Sequence, residues 1–313
     1  MKSSLRSSDT RDKSGIHTAT HTMASDKTVG DFSVKGKILL ITGGGSGIGL
    51  SFARLFHTHG GRVLIGDVKL TSAAEDFIHT TEVDSPGSVI FRTCDVTDWK
   101  SLHSLISASV LEFGEAPDVY CPCAGIFEPP WSNFWDDTED DGYATIKINT
   151  EHPIKLTRLA FRALLGAEKK GVVMHVASAA GLIGSWGCAL YCASKHAIVG
   201  LCKSLGHADG SEGVKVVCIC PGIVKTPLWE DREDDRAKDY KYGQEGSPTI
   251  TPDEVAEAML RLVEEGKYGG GTVLHKNFSG EKIVFEGGQS LYDVERPKTT
   301  LDNERGKKWD VTM

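Results

Sequence analysis

The sequence predicts an α/β fold in which a single doubly wound parallel sheet carries helices on both faces. Three observations predict it. Short, uninterrupted apolar runs alternate with amphipathic helical stretches, the rhythm of successive βα units. A glycine-rich turn, TGGGSGIG at Thr42 to Gly49, joins the first apolar run to the first helical stretch. Finally, Gly43, Asp67, Asp95, Gly125, Ser178 and Pro221 all fall at the carboxyl ends of expected strands, where open sheets of this kind bind ligands.

The first expected strand is KILLIT from Lys37, an apolar run of the type buried on both faces. The helix after the turn places Ile48, Phe52, Leu55 and Phe56 on one side. Gly43 and Gly47 allow the tight turn and close backbone approach to a pyrophosphate, and Gly49 allows helix and strand to pack closely. The unpaired amides at the start of the helix then face the phosphates. RVLIGD, the second strand, ends on Asp67, placed to accept from ribose hydroxyls and to repel a 2′-phosphate. Position 46 is Ser, so the loop offers no obvious cation to such a phosphate, and the expected cofactor is NAD rather than NADP.

VIFRTCDV closes a third strand at Asp95 and Val96, followed by a helix with Trp99, Leu102, Leu105, Ile106, Val110 and Phe113 on its apolar side. VYCPCAG (119–125), VVMHVAS (172–178) and VKVVCICPG (214–222) read as the fourth to sixth strands. GTVLHKNFSGEKIVFEGG reads as a strand, a turn at Ser279 and Gly280, and a returning strand. Residues 1–33 are polar and aperiodic, an expected disordered tail. Arg6, Arg11 and the serines faintly suggest a transit peptide, against which Asp9, Asp12 and Asp26 stand. Residues 34–288 form the expected domain and 289–313 a charged extension.

Bulk properties narrow the partners. A net charge of −8 argues against nucleic acid or an anionic membrane surface as the main partner. No apolar run approaches the roughly 18 residues of a membrane span, so no membrane insertion is expected. The eight cysteines include two C-x-C pairs, Cys121/Cys123 and Cys218/Cys220, in strand-like runs. Their spacing matches no common zinc pattern, and they read as buried, reduced thiols of a cytoplasmic protein with no metal site.

The chemistry centres on ASAAGLIGSWGCALYCASKHA, Ala177 to Ala197. Tyr191 and Lys195 are four apart, so on a helix they share a face. A free phenol has a pKa near 10, and a fixed ammonium nearby favours the phenolate, giving a general acid/base for an alcohol or carbonyl oxygen.

Taken together these residues resemble the short-chain dehydrogenase/reductase family, from about Lys35 to Gly288. The family pattern T-G-x-x-x-G-x-G falls on Thr42, Gly43, Gly47 and Gly49, and its Asn-Ser-Tyr-Lys tetrad on Asn149, Ser178, Tyr191 and Lys195. The C-terminal hairpin is similar to that of the NAD-dependent 15-hydroxyprostaglandin dehydrogenase type. The resemblance implies a Rossmann-type domain and hydride transfer between a nicotinamide and a carbinol or carbonyl carbon. It implies that Tyr191 handles the proton, Lys195 lowers its pKa, Ser178 holds the substrate oxygen and Asn149 positions a relay water. NAD would contact Gly43, Ser46, Gly47, Ile48, Asp67, Asp95, Val96, Ala124, Gly125, Tyr191, Lys195, Pro221, Gly222, Val224 and Thr226. One departure stands out: the family's N-N-A-G is here Pro122-Cys123-Ala124-Gly125, so the asparagine that braces the sheet is Cys123.

Four of the six tryptophans, Trp131, Trp135, Trp186 and Trp229, lie in the segments that would wall the cleft. With Phe127, the expected pocket residues are Trp131, Trp186 and Trp229, suited to a bulky, largely apolar secondary alcohol or ketone of steroid, polyketide, terpenoid or lipid type. The charged run from Trp229 to Lys241 reads as a lid or a solvated helix. A homodimer or homotetramer is implied by the family. The alternatives are a cofactor-retaining dehydratase or epimerase on the same fold, or a non-catalytic NAD-binding protein.

Overall fold

The computed structural model describes residues 27–127, 134–135, 137–230, 246 and 248–287 of the chain. Strands β1 (Ile38–Thr42), β2 (Arg62–Asp67) and β3 (Val89–Thr93) are connected by helices α1 (Gly47–Thr58) and α2 (Ser72–Asp84). Helix α3 (Trp99–Phe113) leads into β4 (Val119–Pro122). A short helix α4 (Ala144–Ile146), a π turn (Lys147–Glu151) and α5 (His152–Gly166) then lead to β5 (Gly171–Val176). Helices α6 (Ala189–Ser204) and α7 (Ala208–Glu212) precede β6 (Val214–Pro221).

The main sheet runs in the order β10-β9-β6-β5-β4-β1-β2-β3, where β9 is Val273–Asn277 and β10 is Gly280–Phe285. Every pairing is parallel except β9 with the edge strand β10. Strand order reverses between β1 and β4, which makes the crevice above their carboxyl ends the place for a ligand. Beyond β6, the short strands β7 (Ile223–Val224) and β8 (Thr249–Ile250) pair with each other and bracket helix α8 (Pro227–Glu230). Helix α9 (Pro252–Glu264) follows, opened by a capping box in which Thr251 and Glu254 satisfy each other's backbone amides.

The strands read as continuous apolar runs because both sheet faces are covered. Leu39 and Ile41 point to one side, packing with Phe52 and Phe56 of α1 and Met259 of α9. Leu40 and Leu64 point to the other, among Leu102 and Leu105 of α3 and Leu156 and Leu164 of α5. At Gly49 an added Cβ would stand 2.1 Å from the Gly43 carbonyl oxygen, so α1 lies on the turn at a distance that only glycine permits.

Two boundaries differ from the sequence expectation. Order begins before residue 34: Val29 and Phe32 are buried, the Val29 amide donates to Asp209 Oδ1 at 2.8 Å, and the Phe32 amide donates to the Glu264 carbonyl at 2.8 Å. Two apolar side chains in a polar stretch were too weak a signal to mark this segment as part of the domain. β3 ends at Thr93 instead of Val96; the Cys94 amide still reaches the Asp67 carbonyl at 2.9 Å, and the chain then turns through Asp95.

Candidate active site

The cofactor side of the crevice is built from backbone. Gly43 (φ +70°) and Gly47 (φ +51°) are both left-handed, which glycine adopts without strain. A Cβ at Gly43 would lie 2.5 Å from the Ala124 backbone, and one at Gly47 3.1 Å from the Thr226 methyl carbon. The turn therefore sits flush against the loop after β4 and the segment after β6, and joins Ala124, Gly125 and Thr226 to the same cleft. Ser46 occupies the N-cap of α1 in extended conformation without a side-chain cap, leaving first-turn amides for an anion. Ile48 is half-buried against the core.

Asp67 closes β2 with its carboxylate fixed by the backbone. Oδ2 accepts from the Gly45 amide at 2.9 Å, and Oδ1 from the Val68 amide at 2.7 Å. At the end of β3, Asp95 is exposed, and the hydroxyl and amide of Thr97 hold its carboxyl below the usual carboxylate range. Val96 beside it is buried. Pro221 ends β6, the Gly222 amide donates to the Lys276 carbonyl at 2.8 Å, and Val224 is buried in β7.

The other side of the crevice, which holds Asn149, Ser178, Tyr191 and Lys195, is built from side chains. Ser178 caps the 3-10 turn Ala179–Gly181 two residues past β5, and its hydroxyl hydrogen-bonds the Tyr191 phenol. Tyr191 and Lys195 lie on the inner face of α6, both buried, with the Lys195 ammonium 5.6 Å from the centre of the tyrosine ring. Lys195 Nζ donates to the Val176 carbonyl at 3.1 Å. Asn149 sits mid-way along the π turn, 1% exposed, and clamps the loop after β4. Its Oδ1 accepts from the Ile126 amide at 2.9 Å, and its Nδ2 donates to the Ile126 carbonyl at 2.8 Å. Nδ2 also reaches Ser194 Oγ at 3.2 Å, whose hydroxyl donates to the Tyr191 carbonyl at 2.7 Å. Gly125 is needed where these groups converge: a Cβ there would stand 3.2 Å from Asn149 Oδ1 and 3.6 Å from Lys195 Nζ.

One electrostatic expectation is corrected. The sequence suggests a phenol depressed by Lys195; instead, burial dominates and pushes Tyr191 up, with the Ser178 hydrogen bond opposing it. Burial likewise pulls the Lys195 ammonium below the ordinary lysine value. Spacing on a helix reveals proximity but not desolvation.

Of the expected pocket residues, Phe127 and Trp229 pack in one cluster with Tyr191. Phe127 lies between Tyr191 and Trp229, 4.8 Å from each ring centre, and the three are buried with Cys188 and Cys192. Trp186 stands at the rim, 79% exposed, 6.0 Å from the ring of Trp135. Trp131 and most of the charged run after Trp229 lie outside the described residues. Ser194, the Ile126 backbone and His152 carry no sequence signal of their own; the fold brings Ser194 and Ile126 to Asn149, and His152 to Thr42. The eight cysteines are free thiols, and among the described residues none joins a cluster able to hold a metal.

A glycine cradle at the switch point of a doubly wound sheet, with a buried Tyr-Lys pair above it, defines a nucleotide-binding α/β enzyme. A sequence model described as short chain dehydrogenase matches residues 37–237. The chain belongs to the short-chain dehydrogenase family and is an oxidoreductase. It is 32% identical over 266 residues to (+)-borneol dehydrogenase 1 of Salvia officinalis, covering 82% of this chain and 95% of that one. It is 28% identical to the rat (Rattus norvegicus) 15-hydroxyprostaglandin dehydrogenase [NAD(+)] over 76% of this chain and 90% of that one. Its fold matches a 3-ketoacyl-(acyl-carrier-protein) reductase from Brucella melitensis, solved with NADH, with a TM-score of 0.63 and 22% identity, covering 79% of this chain and 98% of that one. Among the described residues no helix is long and apolar enough to cross a membrane.

Proposed function

We propose that this protein is an NAD-dependent dehydrogenase that interconverts a secondary alcohol and a ketone on a bulky, largely apolar substrate. The observation that carries this reading is the placement of Tyr191: its phenol touches Ser178, its ring faces Lys195, and its outer side is walled by Phe127 and Trp229. The side-chain-free cradle at Gly43, Gly45 and Gly47 fits a dinucleotide pyrophosphate, and the anchored Asp67 carboxylate fits a free ribose diol and opposes a 2′-phosphate. Bound there, NAD would accept hydride at its nicotinamide ring.

This chain's own groups do the rest. Ser178 donates to the substrate oxygen and orients the carbinol beside Tyr191. Tyr191 takes the hydroxyl proton as the carbon–hydrogen bond gives up its electron pair. Lys195, beside the tyrosine ring, supplies a positive charge next to the phenolate that forms when the proton is lost, and Thr226, packed against Gly47, would hold the nicotinamide end. Phe127 and Trp229 exclude water and offer flat apolar area to the substrate. A homodimer or homotetramer in the cytoplasm completes the proposal.

The test is the rise in reduced-nicotinamide absorbance when the full chain meets a panel of bulky and small secondary alcohols with NAD or NADP. The reading expects turnover with NAD and preference for the bulky alcohols. Turnover with NADP alone, or with small polar alcohols alone, would overturn the cofactor or substrate part respectively. Tightly retained NAD without net reduction would favour a dehydratase or epimerase.

A further inference from the structure

We propose that His152 is a positioning residue that ties the π turn carrying Asn149 to the glycine-rich turn at the end of β1. The inference rests on the reading above for its kinetic consequence, and on geometry alone for its structural one.

The turn Lys147–Glu151 is π-helical, and Asn149 stands in its middle. A π turn holds one more residue than an α turn and is an uncommon, poorly self-sustaining register that recurs at functional sites. If it relaxed to α geometry, the side chains before it would rotate relative to α5 by one residue step, roughly 100°. Asn149 could then no longer grip the Ile126 backbone. Something outside the helix has to hold the register.

His152, the first residue after the turn, is fully buried and reaches both ways. Its Nδ1 lies 3.0 Å from the Ile148 carbonyl oxygen, which can only accept, so Nδ1 carries the proton. Nε2 of the neutral ring is then an acceptor, and the Thr42 hydroxyl donates to it at 2.9 Å. Thr42 is itself fully buried, ends β1 and directly precedes Gly43. The Thr42 carbonyl also accepts from the Cys123 amide at 3.2 Å, so one residue joins β1, the β4 loop and the π turn. Cys123 cannot supply a comparable bridge, because a thiol is a weak donor and acceptor. From the turn that His152 ties down through the Ile148 carbonyl, Asn149 reaches Ile126 on one side and Ser194 on the other, and Ser194 donates to the Tyr191 carbonyl.

The experiment compares His152→Leu, His152→Gln, Thr42→Val, Asn149→Ala and the double variant of His152→Leu with Asn149→Ala, all in the full chain. At a temperature where each is folded, His152→Leu should lower kcat about ten-fold or more while the KM for NAD changes less than about two-fold. Thr42→Val should follow in the same direction, and His152→Gln should recover part of the loss. The double variant should be no slower than Asn149→Ala alone, because both act through one linkage. A merely structural histidine would lower Tm, leave kcat within about two-fold, and multiply with Asn149→Ala, and that result overturns the proposal. Should His152→Leu not fold, Thr42→Val with and without Asn149→Ala makes the same comparison.

Hydrogen exchange separates this inference from the reading of function. His152→Leu should speed exchange of the Ile126 amide, which Asn149 Oδ1 holds, whether or not any alcohol is oxidised. Unchanged exchange there overturns the proposal even if the enzyme turns over, whereas faster exchange with no turnover overturns only the proposed activity.

Discussion

The two halves of the crevice are made in different ways. The half formed by β1, β2 and the glycine-rich turn is shaped by backbone: glycines at positive φ, close approaches that exclude a Cβ, and a carboxylate fixed by amides. The half formed by the ends of β4 and β5 with α6 is shaped by side chains from separate elements, held by buried hydrogen bonds. Backbone geometry is written locally, in which residues are glycine. Side-chain constellations depend on how distant segments meet, and they bring buried titratable groups with them.

If that contrast is right, the catalytic half should show the largest chemical sensitivity. Lys195→Met should lower kcat at saturating NAD about 10²–10⁴-fold, the range that acid–base groups contribute. A rate within a few-fold of the wild type at saturating NAD would contradict it.

Sensitivity of stability to acid should also belong to the catalytic half. Burial pulls His152 down to about 4 and His175 to about 3, so both are neutral in the fold. The unfolded chain, with histidines near 6.5, binds those protons first. Their contribution is therefore complete above about pH 6.5 and is lost as pH falls from there through about 4 for His152 and about 3 for His175, on the order of 3 and 5 kcal/mol respectively. Among the described residues His175 receives nothing at Nδ1, and its Nε2 meets Thr157 Oγ1 at 3.2 Å, whose hydroxyl already donates to Pro153. Lys195 adds a like charge that opposes protonation of both. His175→Leu should leave Tm near neutral pH within a few degrees and flatten its fall toward acid, checked by thermal melts across that window.

On the backbone half, Asp67→Ser should lower kcat/KM with NAD about 10–100-fold, the worth of a charged hydrogen bond, and raise use of NADP. An unchanged cofactor ratio would remove Asp67 from the ribose. The smallest effect is expected at the wall of the pocket. Phe127→Leu gives up two ring contacts, worth about 0.5–1.5 kcal/mol each, and should raise KM for bulky alcohols several-fold while sparing small ones.

The same contrast explains what was legible in the sequence. The strands from β1 to β6, the glycine turn, Asp67 and the C-terminal hairpin could be read because each is a local pattern of apolar runs, glycines or a strand-end acid. Tyr191, Lys195 and Ser178 could be paired because two share a helix face and one follows a strand. His152 and Ser194 could not, since nothing in HPIKL or ASKHA signals that a histidine meets Thr42 or that a serine meets Asn149. Desolvation escaped for the same reason: the raised pKa of Tyr191 comes from what the fold stacks around it. The buried Val29 and Phe32 lie in a polar stretch whose role appears only once α7 and α9 are in place beside it.

The most direct test is the turnover of Tyr191→Phe with NAD and a bulky secondary alcohol, alongside its affinity for NAD. The proposed mechanism expects kcat to fall about 10²–10⁴-fold while the Kd for NAD stays within about two-fold, because one hydroxyl is removed from a ring that stays packed on Phe127. A variant that kept most of the wild-type rate would show that Tyr191 does not move the proton, and the catalytic assignment would be wrong.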